Sequence, residues 1–279
     1  MPEGAPPRRP TLPSVSAQGK DVTAMPGMSR LVSAARQVLE QTPSALVTDI
    51  DGTISRIVAR PEEATVSVLA RRSLEALATR LALVAVVTGR DAATARQIVG
   101  ADGITYIGNY GLDSEGFEPG MISSAESEAR DHLASAPCVE IESKGVSFAA
   151  HYRNCPEPEA VRRFILEELV PVAARYGARV IEGKMVVELV PGSLPDKASA
   201  ILNLARRHRL NGIVYLGDDI GDIPVFEAIR RRREEEGLPG ICLAVIDSET
   251  DPSVSVTADE AIAGVDLSEA FLAALASNH

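Results

Sequence analysis

The sequence predicts an α/β protein in which a parallel sheet is covered by helices and a separate α+β unit is inserted. Short apolar runs, among them SALVT, LALVAVV and GIVYLG, alternate with segments of helical periodicity. Strands that are apolar throughout are typical of a parallel sheet buried on both faces. Between residues 114 and 192 the pattern changes to strand-like pieces that meet at Gly-Lys or Lys-Gly turns, which indicates antiparallel hairpins.

The core elements follow from periodicity along the chain. Residues 1–27 are rich in Pro and have no apolar period, so we predict a disordered tail there. The core is predicted over 28–113 and 193–279. Its helices are predicted at 28–41, 65–80, 91–100, 195–210, 223–236 and 267–277, and its strands at 44–48, 81–87, 104–108, 212–217 and 240–246.

The inserted unit is predicted over residues 114–192. A polar helix over 121–136 precedes the pieces CVEIES and VSFAAHYRN, which are joined at Lys144-Gly145. A helix over 157–176 is followed by ARVIEG and MVVELVP, which are joined at Gly183-Lys184. Helices beside hairpin strands predict an α+β unit.

Composition excludes several classes of function. The chain has 279 residues and a net charge of −11, so it has no general attraction to nucleic acid, and a phosphate site needs local positive charge. No apolar run reaches the roughly 18 residues of a membrane span, and no secretory signal is present, so we expect a soluble, cytoplasmic protein. Cys138, Cys155 and Cys242 are odd in number and widely spaced, which favours isolated reduced thiols over a disulfide framework or a zinc site.

Acidic residues follow two of the apolar strands. Asp49 and Asp51 end the first strand, and the cluster at 217–222 follows the fourth. An acidic turn is the alternative in each case. Because the carboxyl ends of parallel strands meet at one sheet edge, these carboxylates suit a shared Mg²⁺ site. Lys197 is one of only four lysines, and it lies in the first turn of its helix, where its ammonium and the helix N-terminus favour an anion.

These residues carry a family resemblance. Asp49-Ile50-Asp51-Gly52-Thr53, then Thr88, Lys197 and Gly217-Asp218-Asp219 with Asp222 resemble the four ordered motifs of the haloacid dehalogenase superfamily. Within it the chain is similar to the trehalose-phosphate phosphatases, through the segments TGRDAATARQIVG, YIGNYGLD, KGVSFAAHYRN, GKMVVELVP and YLGDDIGD. The resemblance implies a Rossmann-like core with an inserted α+β cap, and Mg²⁺ as the cofactor.

The resemblance also implies a role for each matching residue. Asp49 would be the nucleophile and Asp51 the general acid and base, while Thr88 and Lys197 would hold the phosphoryl oxygens. Mg²⁺ would bind Asp49, Asp218 and the backbone carbonyl of Asp51, supported by Asp219 and Asp222. Substrate contacts would come from Gly89, Arg90, Asn109, Tyr110, Lys144, His151, Arg153, Asn154, Lys184 and Glu188.

The sequence departs from the family at Tyr110, where His is usual, which bears on sugar specificity. The leading hypothesis is hydrolysis of trehalose 6-phosphate through an aspartyl-phosphate. Hydrolysis of another sugar phosphate, such as a glycosyl-phosphoglycerate or sucrose phosphate, is the second. A catalytically silent sugar-phosphate sensor is the third. We expect a monomer whose partner is a small sugar phosphate, with no nucleic acid or membrane involved.

Overall fold

The computed structural model of the chain describes residues 26–109, 119–192 and 196–277. Most of the predicted tail, residues 1–25, and the predicted substrate contact Tyr110 lie outside the described residues. Within them, the helices are α1 (Pro26–Leu39), α2 (Val68–Ala78), α3 (Ala92–Val99), α4 (Pro119–His132), α5 (Pro158–Arg175), α6 (Lys197–His208), α7 (Ile223–Glu236), α8 (Pro252–Thr257) and α9 (Val265–Ala276).

The strands form two separate sheets. In chain order they are β1 (Ser44–Thr48), β2 (Leu83–Val87), β3 (Thr105–Ile107), β4 (Glu140–Ser143), β5 (Phe148–His151), β6 (Ala178–Gly183), β7 (Val186–Pro191), β8 (Gly212–Gly217), β9 (Gly240–Ile246) and β10 (Glu260–Ala263). Among the helices of the described chain, none is long and apolar enough to cross a bilayer.

The larger sheet is parallel and has the strand order β10-β9-β8-β1-β2-β3. β1 lies between β8 and β2, and every residue of these three strands is buried. Helices cover both faces of the sheet, which explains why these strands are apolar throughout and do not alternate between apolar and polar residues. Leu46 packs with α1, α2 and α9 on one face, whereas Ala45 and Val47 pack with α6 and α7 on the other.

Short polar side chains fix where the core helices begin. Asp91 and Asp196 accept hydrogen bonds from the backbone N–H groups of Thr94 (2.9 Å) and Ser199 (2.7 Å), so they cap α3 and α6. The cap at Asp196 starts α6 at Lys197, which places the lysine in the first turn. The predicted α/β architecture of the core is therefore confirmed, with helix ends within a few residues of the predicted ones.

The smaller sheet is antiparallel and has the strand order β4-β5-β7-β6. Helices α4 and α5 cover it with a separate apolar core that includes Phe148, Ile165 and Leu169. All of these elements lie between β3 and α6 along the chain, so the predicted α+β insertion is confirmed as part of the fold. The domain limits predicted at 113/114 and 192/193 fall in or beside undescribed residues and stay predictions.

Two elements near the C-terminus were not predicted. Helix α8 is short, and β10 has the sequence EAIA, in which Ile262 alone is buried. Among the described strands, β10 lies at the edge of the parallel sheet and pairs only with β9. An edge strand with one buried side chain carries little apolar signal in the sequence.

The prediction of three isolated reduced thiols was wrong. Cys138 and Cys155 form a disulfide with a Cα–Cα distance of 5.2 Å, and Cys242 is a free buried thiol. The 17-residue separation is wide in sequence but short in space, because Cys138 precedes β4 and Cys155 follows β5. The antiparallel pairing of Glu140 with His151 brings the two flanks of this hairpin together.

The disulfide predicts the outcome of a thiol titration. The denatured, unreduced chain should react at about one of its three cysteines, and at all three after reduction, because only Cys242 is free. Cys155→Ser should lower the free energy of unfolding by about 3 kcal/mol, since a crosslink over a loop of this length restricts the unfolded chain. Cys242→Ser is the matched control, and its unreduced form should titrate no thiol. Three reactive thiols before reduction would contradict the bond.

Candidate active site

The candidate site lies at the carboxyl edge of the parallel sheet, beneath the antiparallel cap. Asp49 follows β1, Thr88 follows β2 and Asp218 follows β8, so three neighbouring strands deliver polar side chains to one place. One cavity lies between this edge and the cap. The predicted site residues that line it are Asp49, Asp51, Thr88, Gly89, Arg90, Lys144, His151, Arg153, Asn154, Lys184, Glu188, Lys197, Asp218 and Asp219.

Lys197 joins the two acidic loops. Its Nζ donates to Asp49 Oδ2 at 2.7 Å and to Asp222 Oδ1 at 2.7 Å. The side chains of Lys197 and Asp49 are 6% and 9% exposed. A buried ammonium between two carboxylates is held tightly, because either partner left alone would be a costly buried charge.

Asp222 lies behind the cavity and anchors the acidic loop. Its Oδ1 also accepts from the Tyr215 hydroxyl at 2.6 Å, and its Oδ2 accepts from the backbone N–H groups of Asp218 (2.8 Å) and Asp219 (3.0 Å). Counting Lys197, four donors use this one fully buried carboxylate. Asp222 therefore positions the lysine and the loop and has little capacity left for a direct metal contact.

The buried carboxylates have strongly perturbed acidity. Burial raises the pKa of Asp49 to about 7, although the ammonium of Lys197 acts in the opposite direction. Burial also raises the pKa of Asp218 well above its ordinary value, against the lowering effect of Lys184 and with a further increase from Asp49. Carboxylates crowded in this way gain from a divalent cation, which offsets their mutual repulsion.

The acidic cluster fits a hard divalent cation. One oxygen each from Asp49, Asp218 and Asp222 lie within 4.8 Å of one another. Because Asp222 is engaged by four donors, Asp49 and Asp218 are the side chains that best suit direct contact. A Cβ at Gly52 would lie 2.0 Å from Asp218 Oδ2, and Gly52 has φ +78°, so only glycine permits this approach.

Two other predicted metal residues have different neighbours. Asp219 Oδ1 accepts from Gly221 N at 3.2 Å, and its Oδ2 accepts from Lys184 N at 3.3 Å. The Asp51 side chain pairs with Arg90. The side chains of Asp51 and Asp219 thus lie outside the close cluster of carboxyl oxygens, and metal ligation by either residue stays a prediction.

The raised pKa of Asp49 predicts how stability depends on pH and Mg²⁺. A carboxyl with a raised folded-state pKa stabilises the fold fully below its unfolded pKa of 3.8, and this contribution is lost as the pH rises through about 7. In EDTA, the free energy of unfolding should therefore fall over this interval. Mg²⁺ favours the ionised carboxylates, so the stabilisation it gives should increase from about pH 5 to about pH 8.

Denaturant unfolding at several pH values, with EDTA or Mg²⁺, measures both effects. Na⁺ at the same ionic strength controls for general screening of charge. Equal stabilisation by Mg²⁺ at the two ends of the pH range would contradict coupling between the metal and these carboxyls.

Arg90 holds Asp51 in a two-pronged ion pair. Its Nε donates to Asp51 Oδ2 at 2.6 Å, and its Nη2 donates to Asp51 Oδ1 at 2.8 Å. The remaining nitrogen, Nη1, donates to Pro61 O at 2.9 Å, which fixes the guanidinium against the loop after β1. A forked pair of this kind restricts the orientation of both side chains.

Thr88 and Asn109 complete the edge of the sheet. Thr88 is buried at the cavity wall, and its Oγ1 accepts from Arg90 N at 3.3 Å. Its hydroxyl hydrogen can therefore be donated to another acceptor. Asn109 is also buried, and its backbone N–H donates to Arg90 O at 2.8 Å. The Asn109 side chain does not belong to the cavity wall formed by the described residues, and its Oδ1 has no hydrogen-bond partner in that part of the chain.

The cap contributes a wall of charged and polar side chains. Lys144 Nζ lies 3.2 Å from Glu188 Oε2, and the Ser147 hydroxyl donates to Glu188 Oε1 at 2.6 Å. His151 Nε2 lies 2.9 Å from Glu142 Oε2. Carboxylates and cations arranged along β4, β5 and β7 can accept from and donate to the hydroxyl groups of a sugar.

Glu142 lines the cavity but was not predicted as a site residue. Glu142 lies on β4 two positions before Lys144, which follows the end of the strand, and the period of two places both side chains at the cavity. That alternation was the available signal. Two other predicted cap residues, Lys184 and Arg153, reach core carboxylates, with Lys184 Nζ 2.7 Å from Asp218 Oδ2 and Arg153 Nη1 2.9 Å from Glu249 Oε2.

Comparison with known proteins identifies the family. The family model described as trehalose-phosphatase matches residues 47–260, which is more than half of the chain and includes both acidic loops, Lys197 and the cap. The chain belongs to the trehalose-phosphatase family. The predicted resemblance is thereby confirmed.

Trehalose-phosphatase family members from mycobacteria are similar in sequence. The chain is 31% identical over 235 residues to the trehalose-phosphate phosphatase of Mycolicibacterium paratuberculosis, a match that covers 78% of this chain and 59% of that protein. It is 34% identical over 205 residues to the trehalose-phosphate phosphatase of Mycobacterium marinum, which covers 66% and 51%. The chain therefore spans only about half to three fifths of the length of these relatives.

The fold of the family is also found by structural comparison. The C-terminal domain of trehalose-6-phosphate phosphatase from C. albicans matches with a TM-score of 0.75 over 89% of this chain and 96% of that domain. Its sequence identity is 19%, so the match concerns the fold. It agrees with an α/β core that carries an antiparallel cap.

Proposed function

We propose that this chain is a Mg²⁺-dependent phosphomonoester hydrolase that converts trehalose 6-phosphate to trehalose and phosphate. The observation that carries the proposal is the meeting of Asp49, Lys197 and Asp218 at one end of a cavity whose other wall is the polar cap. The family membership and the names of the mycobacterial relatives support the choice of substrate.

Asp49 and Asp51 would carry out the first chemical step. A carboxylate oxygen of Asp49 attacks phosphorus, the bond between phosphorus and the sugar oxygen breaks, and a phosphoryl group is left on Asp49. Asp51 would donate a proton to the departing sugar oxygen, which leaves as a hydroxyl, once Arg90 has released the Asp51 oxygen that carries this proton. Lys197, bound to Asp49 at 2.7 Å, and Thr88 at the cavity wall would hold the phosphoryl oxygens.

The second step releases phosphate and regenerates the enzyme. Asp51, now a carboxylate, takes a proton from water, and the water oxygen attacks phosphorus while the bond to Asp49 breaks. The forked pair with Arg90 orients Asp51 for this role in the resting site. A divalent cation held by Asp49, Asp218 and the backbone carbonyl of Asp51 would offset the charge of the phosphate that binds between them.

The cap would hold the sugar. Glu142, Lys144, His151 and Glu188 lie along the wall that faces the acidic edge. Buried Glu188 accepts from Ser147 and pairs with Lys144, which fixes its side chain as an acceptor for sugar hydroxyls. Charged side chains fixed in this way suit a polyhydroxylated substrate better than an apolar one.

A substrate panel tests the proposal. Phosphate release is measured for trehalose 6-phosphate, sucrose phosphate and a glycosyl-phosphoglycerate, each with Mg²⁺ or with EDTA. We expect kcat/KM for trehalose 6-phosphate to exceed the others by about 100-fold or more, because unpaired polar groups in the cap would penalise a wrong sugar. We also expect EDTA to abolish turnover and added Mg²⁺ to restore it.

Several outcomes would contradict the proposal. Equal kcat/KM values for the three substrates would contradict specificity for trehalose 6-phosphate. Turnover in EDTA would contradict the metal requirement. Binding of trehalose 6-phosphate with no release of phosphate would favour the silent sensor. The cytoplasmic location, the monomeric state and the absence of a nucleic-acid partner stay predictions.

A further inference from the structure

We propose that Arg153 of the cap and Glu249 of the core are positioning residues that form a latch, which holds the cap over the bound sugar phosphate. The inference rests on the proposed function for its substrate and concerns residues outside the reaction centre. It assigns a role to Glu249, which no motif singles out. It also gives Arg153, predicted as a sugar contact, a different partner.

The contact joins two segments that are 96 residues apart in the chain. Arg153 follows β5, and its Nη1 lies 2.9 Å from Glu249 Oε2 and 3.1 Å from Glu249 Oε1. Its Nη2 donates to Lys184 O at 3.3 Å, which ties the two cap hairpins together at the same point. Arg153 lines the cavity, and both of its terminal nitrogens are engaged, Nη1 by the core and Nη2 by the cap backbone.

The core side of the latch is a preformed loop after β9. Asp247 Oδ1 accepts from Glu249 N at 2.8 Å and from Thr250 Oγ1 at 3.1 Å, and Thr250 Oγ1 accepts from Asp247 N at 3.0 Å. These internal bonds define the backbone of the loop without any contribution from the cap. Glu249 is therefore presented to Arg153 by a rigid support.

A second cap side chain reaches the same loop. Lys184 Nζ lies 3.3 Å from Asp247 Oδ2 and 2.7 Å from Asp218 Oδ2. Lys184 thus links the loop to the acidic cluster, where a cation or a phosphate would compete for the same partners. The Arg153–Glu249 pair touches neither Asp49 nor Asp218, so it can hold the cap while Lys184 exchanges partners.

The exposure of the latch suits a contact that opens in each catalytic cycle. The side chains of Arg153 and Glu249 are 24% and 38% exposed, whereas the Lys197–Asp49 pair is almost completely buried. Partly exposed ion pairs contribute only modestly to the stability of the closed cap, so the cost of breaking one does not prevent product release. Its loss should nevertheless reduce the population of closed cap and weaken substrate binding.

A double-mutant cycle tests the latch. KM and kcat for trehalose 6-phosphate are measured for Arg153→Gln, Glu249→Gln and the double variant. We expect each single change to raise KM about three- to tenfold with kcat little changed, because the pair supports binding and not the chemical step. The double variant should match the single variants, since removing the second partner of a broken pair has no further effect. Glu235→Gln, an exposed change on α7, is the control.

Two results would overturn the latch. If Glu249→Gln leaves KM unchanged, Glu249 has no positioning role. If the two changes multiply in their effects on KM, then Arg153 acts on the substrate by itself. Small-angle scattering separates this failure from failure of the proposed function, because it needs no turnover: Glu249→Gln should give a larger radius of gyration than the unsubstituted chain. An unchanged radius would likewise overturn the latch.

Discussion

Asp49→Asn is expected to lower phosphate release from trehalose 6-phosphate by about 10⁴-fold or more while the chain stays folded. The amide keeps the shape of the side chain but lacks the anionic oxygen that we propose attacks phosphorus. The fold should survive the change, since the amide oxygen can accept from either Ile50 N or Lys197 Nζ, each 2.7 Å from an Asp49 oxygen, and Lys197 keeps its bond to Asp222. Burial favours a neutral side chain at this position, whereas Lys197 loses one of its two anionic partners, so we expect a moderate loss of stability.

The measurement combines steady-state phosphate release with a search for the phosphorylated chain by mass spectrometry. The unsubstituted protein, quenched in acid during turnover, should show a phosphoryl adduct, and Asp49→Asn should show none. Asp102→Asn, at an exposed position, controls for the loss of a carboxylate. Residual activity above about one per cent would exclude Asp49 as the nucleophile, because loss of an attacking group removes several orders of magnitude.

Lys197→Met is expected to remove activity and to lower the free energy of unfolding by about 3–5 kcal/mol. The methionine leaves Asp49 and Asp222 buried without the ammonium that lies 2.7 Å from each. The penalty should be larger near pH 8 than near pH 5, because the ammonium lowers the pKa of Asp49 and its loss raises that pKa further, so the folded variant has to bind a proton near pH 8. Denaturant unfolding in EDTA at both pH values gives the size and the pH dependence of the loss.

A second variant separates lost charge from lost packing. Adding Asp49→Asn to Lys197→Met removes one uncompensated carboxylate and should restore part of the lost stability. The two residues are in contact, so their effects should not add. Equal stability of Lys197→Met and the double variant at both pH values would show that the loss comes from packing of the aliphatic stem.

The central part of the site was predictable because it depends on the strands with the strongest sequence signal. β1, β2 and β8 are continuous apolar runs, and their order in a parallel sheet brings the residues just beyond their carboxyl ends to one edge. Asp49 and Asp218 could therefore be placed together from the pattern of the chain. Lys197 could be added because Asp196 begins its helix.

The cap was less predictable, because its contacts depend on how hairpins pack and not on periodicity. The Cys138–Cys155 bond depends on the register of β4 with β5, which the spacing of residues along the chain does not reveal. The Arg153–Glu249 contact depends on how the cap lies against the core, and no local pattern encodes that placement.

The position of β1 inside its sheet has a consequence for synthesis on the ribosome. β1 pairs with β2, the next strand along the chain, and with β8, which is made only after the whole cap. A nascent chain that has emerged as far as β7 can complete the antiparallel layer while β1, the strand that precedes Asp49, still has one open side. The cap is thus expected to become ordered first, and the acidic centre to assemble as one of the last events of biogenesis.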